Sequence, residues 1–287
     1  LIVSTILNII LDIWFVAGFK MGVPGVALAT VIAQTISGIL CAIKLLKMND
    51  VFDFSLEMLK PVKEYVVKIF KLGLPSGLTH AIFSIAMVTV QSLTNTFGEM
   101  VIACNVIVMR VDGFAMMPNF SFGIAMTTFA GQNVGAKKLD RVAQGTRDGL
   151  KIAVGVSITI TIIILIFGKY LMSIFTSTTE LVNLSMHMMR ILAAGYIAMA
   201  VTQVLSGVMR GAGDTMTPMW ISLITTIMLR VPTAYAIAYF TRSPAYPTGR
   251  PESVFISLLV AWVCGAIITS IFYKIGNWRN KAIVEKG

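Results

Sequence analysis

The chain has 287 residues, of which 56% are hydrophobic and 13% charged, with a formal net charge of +10 and a mean hydropathy of +0.84. A soluble domain carries about 25% charged residues, so this chain lacks the polar side chains to cover a water-soluble monomer. It also has too much apolar surface to stay disordered. A membrane is the remaining solvent.

Apolar stretches fall at 1–19, 24–48, 71–97, 101–130, 149–168, 181–208, 217–240 and 253–273. Each suffices for the ~20 residues of a hydrocarbon crossing. The expectation is an all-α polytopic membrane protein with eight spans.

Basic residues decide the orientation. Loops alternate between two sides, and sixteen Lys and Arg fall on one, among them Lys60, Lys63, Lys68, Lys71, Lys137, Lys138, Arg141, Arg147 and Arg210. Four fall on the other: Lys20, Lys169, Arg242 and Arg250. Such a bias marks the cytoplasmic face, which predicts a multi-pass protein of the cytoplasmic membrane with a cytoplasmic C-terminus. The positive charge therefore encodes orientation rather than nucleic-acid binding. Leu1 lies directly inside an apolar stretch, so the sequence is expected to be part of a longer chain.

The first two spans occupy 1–48. Residues 49–70 form a mixed-charge connection whose apolar positions (Phe52, Phe54, Met58, Leu59, Val62, Val66, Ile69 and Phe70) suit a helix in the cytoplasmic interface. The alternative is that this stretch simply begins span three. Residues 71–287 hold six spans and a tail. Pro75, Pro118 and Pro232 lie within helical runs and are expected to kink or break them. Aligning 1–12 with 219–230 pairs four identities, which would make span one the counterpart of span seven. Cys41, Cys104 and Cys264 have no metal-ligand spacing and are expected to pack as small apolar groups.

Asp12 stands out on physical grounds. An ionised Asp at the centre of a membrane helix costs roughly 2.5–3.5 kcal/mol on insertion scales, so it needs a proton, a cation or a charged partner. Asn8 lies four residues earlier on the same helix face. The pair could take up H⁺ or Na⁺; the alternative is permanent neutralisation by an arginine of another helix. Arg110, Asp112, Arg190 and Arg230 are the other charges at membrane depth, leaving an excess of arginine. His80 and His187 sit in no metal pattern, and no nucleophile or phosphate-loop motif occurs, so an enzyme is not expected. Polar residues including Thr79, Ser84, Gln91, Thr94, Asn95, Asn105, Asn119, Thr202 and Gln203 line a pore or bond helix to helix. Eighteen methionines would suit an adaptable lining or serve as filler.

Two Gly-rich segments carry a resemblance. TFAGQNVGA at 128–136, with Gly131, Gln132 and Gly135, and SGVMRGAGDTMTP at 206–218, with Arg210, Gly211, Gly213 and Asp214, resemble cytoplasmic loop motifs of the multidrug and toxic compound extrusion (MATE) family. NIILD followed by GVPGVALAT is similar to the fifth and sixth helices of its DinF-like branch. The resemblance covers essentially the whole chain, as helices five to twelve, with four helices preceding Leu1.

The resemblance implies the last two helices of an N-lobe plus a six-helix C-lobe. It also implies antiport: amphipathic, often cationic compounds leave in exchange for H⁺ or Na⁺, with no other cofactor. The complete protein would be a monomer in the lipid bilayer. The branch's ion site corresponds to Asn8, Asp12 and Thr30. Gln34, His80, Gln91, Asn105, Arg110, Asp112 and Arg230 are the cavity-lining candidates. GLPSGLTHAIFSIA lacks the helix-seven acid of another branch, which leaves no coupling role there. The rival readings are a lipid-linked oligosaccharide flippase of the same superfamily, suited to the arginine excess, and a non-transporting fragment.

Overall fold

The computed structural model describes residues 2–47, 60–276 and 278. They form two compact units, Leu1–Val66 and Val67–Gly287. Regular structure among them is helical: α1 Ile2–Ile13, α2 Val23–Leu46, α3 Lys63–Asn95, α4 Glu99–Gly135, α5 Leu139–Ser173, α6 Thr179–Ala193, α7 Gly195–Gly211, α8 Met216–Ser222, α9 Arg230–Phe240 and α10 Glu252–Ile275. π-Helical turns at Trp14–Gly18 and Leu223–Leu229 extend α1 and join α8 to α9.

All eight predicted stretches lie on helices, with a different arithmetic of spans. Among the described residues six helices are long and apolar enough to cross a bilayer, counting Met216–Phe240 as one. A seventh crossing arises if α6 and α7, bent by 45°, are taken together. Ile2–Gly18 is apolar but shorter. Outward faces carry large apolar side chains, such as Ile124 at 70% and Ile166 at 64% exposure, as lipid contact requires.

In the first unit α1 packs against α2 through small residues. Gly25, Ala29 and Ala33, spaced four apart, are the buried residues of α2, and such a stripe lets membrane helices approach closely. A methyl at Gly25 would lie 3.0 Å from the Cβ atoms of Phe15 and Met21. The turn between the helices needs left-handed backbone at Lys20 and Gly22, and Pro24 opens α2 where a missing N–H is tolerated. Cys104 is buried as expected, Cys264 is half-buried and Cys41 is exposed.

In the second unit α4 and α7 meet backbone to backbone. A Cβ on Gly207 would collide with the carbonyl of Gly123, and one on Gly211 with the carbonyl of Thr127. Gly131 sits 3.4 Å from the Gly211 carbonyl by the same measure. Around this crossing lie two apolar clusters, one centred on Val108, Leu192, Tyr196 and Phe255, the other on Ala130, Val142, Val204 and Val208. At 1.5 Å per residue, the 37 residues of α4 and 35 of α5 exceed a hydrocarbon core of ~30 Å. Both helices therefore protrude at the turn bearing Lys137 and Lys138.

The prolines do not break their helices. Pro75 and Pro118 lie inside α3 and α4, which are continuous through them. The sharp bend falls instead at Ala194, where no proline is present. Gly195 follows it, and a Cβ there would lie 2.5 Å from the Trp262 ring, so ring packing sets the break. Pro232 follows the π-helical stretch, whose wider turns relieve the missing donor. Residues 63–70 of the expected interfacial segment belong to α3 without interruption; Phe52, Phe54, Met58 and Leu59 lie outside the described residues.

Candidate functional site

The first polar site is built on α1 and α2. Four-residue spacing puts Asn8 and Asp12 on one face of α1. The Asn8 amide donates to the Thr30 hydroxyl of α2 at 3.5 Å, and Thr30 donates to the Val26 carbonyl at 2.9 Å. One carboxylate oxygen of Asp12, Oδ1, is buried with no hydrogen-bond partner. A buried acceptor left unpaired costs about 1–3 kcal/mol, unless a proton or cation satisfies it. Asp12 has no arginine within ion-pair distance among the described residues. Immediately after it the helix widens into the π-turn Trp14–Gly18, a distortion that recurs at functional positions. Gln34, one turn beyond Thr30, is exposed.

The second site lies in the other unit. Tyr196 of α7, fully buried, donates its phenolic hydrogen to Asp112 Oδ1 of α4 at 3.0 Å. Arg230 is 8% exposed and its Nε has no partner. It opens α9 directly after the π-helical stretch Leu223–Leu229. Asp12 and Arg230, aligned in the weak repeat, thus each border a π-helical stretch.

The remaining candidates divide. Asn105 donates to Gln91 at 3.1 Å, joining α4 to α3, and Gln91 donates to Asn95 at 2.9 Å. Asn119 accepts from Ser157 at 2.9 Å and donates to the Tyr196 carbonyl at 3.5 Å, tying three helices together. Thr79, Ser84, Thr94 and Thr202 turn back to carbonyls of their own helices. His80 and Arg110 are exposed. His187 lies 3.4 Å from Glu252. Among the described residues no three His, Cys, Asp or Glu side chains come together as a metal site.

The first Gly-rich motif is the end of a helix, and the second is a helix end followed by the turn 212–215 that joins α7 to α8. α4 runs through Gly131, Gln132 and Gly135. It closes with Lys137 and Lys138 amides bonded to Val134 and Asn133 carbonyls, Lys137 being left-handed at φ 58°. α7 closes in the same way: Gly213, at φ 92°, bonds Arg210, and the Asp214 amide bonds Met209. These paired bonds satisfy carbonyls orphaned at a helix C-terminus. The buried Asp214 carboxylate then accepts from the Thr217 hydroxyl at 2.7 Å and its amide at 3.3 Å, fixing the first turn of α8. Gly131 and Gly211 serve the α4–α7 crossing.

Tyr196 is the site residue that sequence reasoning missed. A tyrosine in an apolar span has a hydroxyl that needs a partner, and Asp112, eighty-four residues away, needs a donor; the two demands could have been matched.

A helical polytopic membrane protein with buried polar sites in both units is the class this arrangement defines. The family profile MatE matches residues 75–236, and the chain belongs to the MATE family. It is 28% identical over 271 residues to the probable multidrug resistance protein YoeA of Bacillus subtilis, covering 91% of this chain and 58% of that protein. It is 29% identical over 189 residues to the DNA damage-inducible protein F of Escherichia coli, covering 64% and 40%. The outward-facing structure of a multidrug resistance MATE family transporter of the MOP superfamily superposes with a TM-score of 0.86 at 22% identity, over 96% of this chain and 60% of that one. The chain thus spans about three fifths of the length of such relatives.

Proposed function

We propose that the chain serves a secondary antiporter of the cytoplasmic membrane, exporting amphipathic, often cationic compounds in exchange for H⁺ or Na⁺. The observation that carries this reading is the buried, unpartnered Oδ1 of Asp12, beside Asn8 and the Thr30 hydroxyl it contacts. A carboxylate in such a place is completed by a proton or by Na⁺ with oxygen donors nearby. Loading the site favours one conformational state; a substrate that prefers the same state competes, and that competition couples the two flows. The multidrug resistance names of several relatives support the choice of substrate.

In this reading the complete protein works as a monomer, as the family resemblance implies, and its C-terminus lies in the cytoplasm, as the basic residues imply. A lipid-linked oligosaccharide flippase is the rival reading, favoured by the buried Arg230 with its unpartnered Nε. Dye efflux from energised cells tests the proposal. Asp12→Asn is expected to abolish efflux at unchanged membrane expression, and efflux at the wild-type rate would sink the coupling role.

A further inference from the structure

Away from both polar sites, a cavity of about 500 Å³ opens between the end of α5 and the start of α6. Its polar lining comes from Lys169, Thr176, Ser177 and Arg190, and its apolar wall from residues including Ile166 and Met186. No carboxylate lines it. Among the described residues neither Lys169 nor Arg190 forms an ion pair.

Lys169 and Arg190 give the cavity a net positive charge. Lys169 stands one turn before the end of α5. Arg190 lies further along α6, but side chains on a helix lean towards its N-terminus, and a long arginine extends its head towards the polar boundary. The first-turn amides of α6, 15 residues long, receive no side-chain cap from Thr178; their positive end is offset by Glu180 in the same turn, which is not among the lining residues, so the two cations carry the charge. The Thr176 hydroxyl accepts the Thr178 amide at 3.2 Å, so its own hydrogen remains to be donated. Below this positive mouth the wall turns apolar and faces outwards, with Leu165 46% and Ile166 64% exposed.

We infer that this cavity binds an anionic glycerophospholipid of the surrounding membrane: its phosphate between Lys169 and Arg190, its acyl chains along Ile166. The pairing of cations and hydroxyls at a helix end with lipid-facing aliphatic wall selects an anionic amphiphile over a soluble anion, because only the former uses both halves. Neither the ion site nor the substrate reading is needed for this inference.

The test places the full-length protein in nanodiscs of equal phosphatidylglycerol and phosphatidylcholine, releases it, and counts retained lipid by native mass spectrometry. Two membrane-facing cations at about 1 kcal/mol each predict a preference for phosphatidylglycerol of about tenfold or more. In the double variant Lys169→Gln with Arg190→Gln the ratio should fall to near one. Both side chains are exposed, so the fold is retained, and Lys169→Arg should keep the preference. Excess inorganic phosphate should leave the lipid in place. Equal retention of the two lipids by the wild type, an unchanged preference in the double variant, or displacement of the lipid by phosphate would each overturn the assignment.

Discussion

Tyr196 and Asp112 meet across the α4–α7 contact in a hydrogen bond of 3.0 Å, next to a crossing so tight that glycines face backbone carbonyls. The phenol gives the carboxylate a hydrogen-bond donor across the two helices. A half-buried acid gains from such a donor. The α4–α7 packing therefore fixes a polar pair inside the second unit.

Removing the phenolic hydroxyl tests the pair. Tyr196→Phe should destabilise the protein by about 1–2 kcal/mol, the contribution of a hydrogen bond to a half-buried carboxylate. In the background of Asp112→Leu the same change should cost much less. Unfolding in detergent by denaturant, run as a double-mutant cycle, reads the coupling; additive losses would mean that the bond contributes nothing.

The glycine crossing makes a second expectation. Gly207→Ala pushes a methyl into the Gly123 carbonyl and should destabilise by about 1–3 kcal/mol, as overpacking does. Gly135→Ala, with open space around it, should be neutral or stabilising by up to about 1 kcal/mol. Thermal melts of the two variants should move in opposite directions or differ clearly in size.

Asn119 joins α4, α5 and α7 through Ser157 and the Tyr196 carbonyl. Asn119→Ala leaves the buried Ser157 hydroxyl unpaired and should cost about 1–3 kcal/mol. Asn119→Ala with Ser157→Ala should recover part of that loss in the same melt.

Lys137 holds left-handed backbone at the end of α4, where a side chain is strained and glycine is not. Lys137→Gly should raise the melting temperature modestly, by the equivalent of about 1 kcal/mol or less. A fall would mean that the lysine makes compensating contacts.

Much of the fold was legible because a bilayer imposes few solutions. Apolar length located the helices, and the i, i+4 spacing of Asn8 and Asp12 placed two polar groups on one face. The Asn8–Thr30 contact was reached through family resemblance, since nothing local to either residue specifies its partner twenty-two positions away. The 45° bend between α6 and α7 has no proline beside it; Gly195, where a Cβ would meet the Trp262 ring, follows it, a long-range contact that local sequence does not show. The Gly-rich motifs were taken for loops because their glycines resemble turn residues; most of them instead admit a neighbouring backbone. Tyr196 was missed because one tyrosine among aliphatic residues gives no periodic signal.

The central claim is that Asp12 links ion entry to substrate export. The most direct measurement is dye uptake into proteoliposomes of the full-length protein, driven in turn by a proton gradient and by a Na⁺ gradient. At least one gradient should drive uptake by the wild type and neither by Asp12→Asn, with both proteins inserted in equal amounts. Gradient-driven uptake by Asp12→Asn at the wild-type rate would contradict the account.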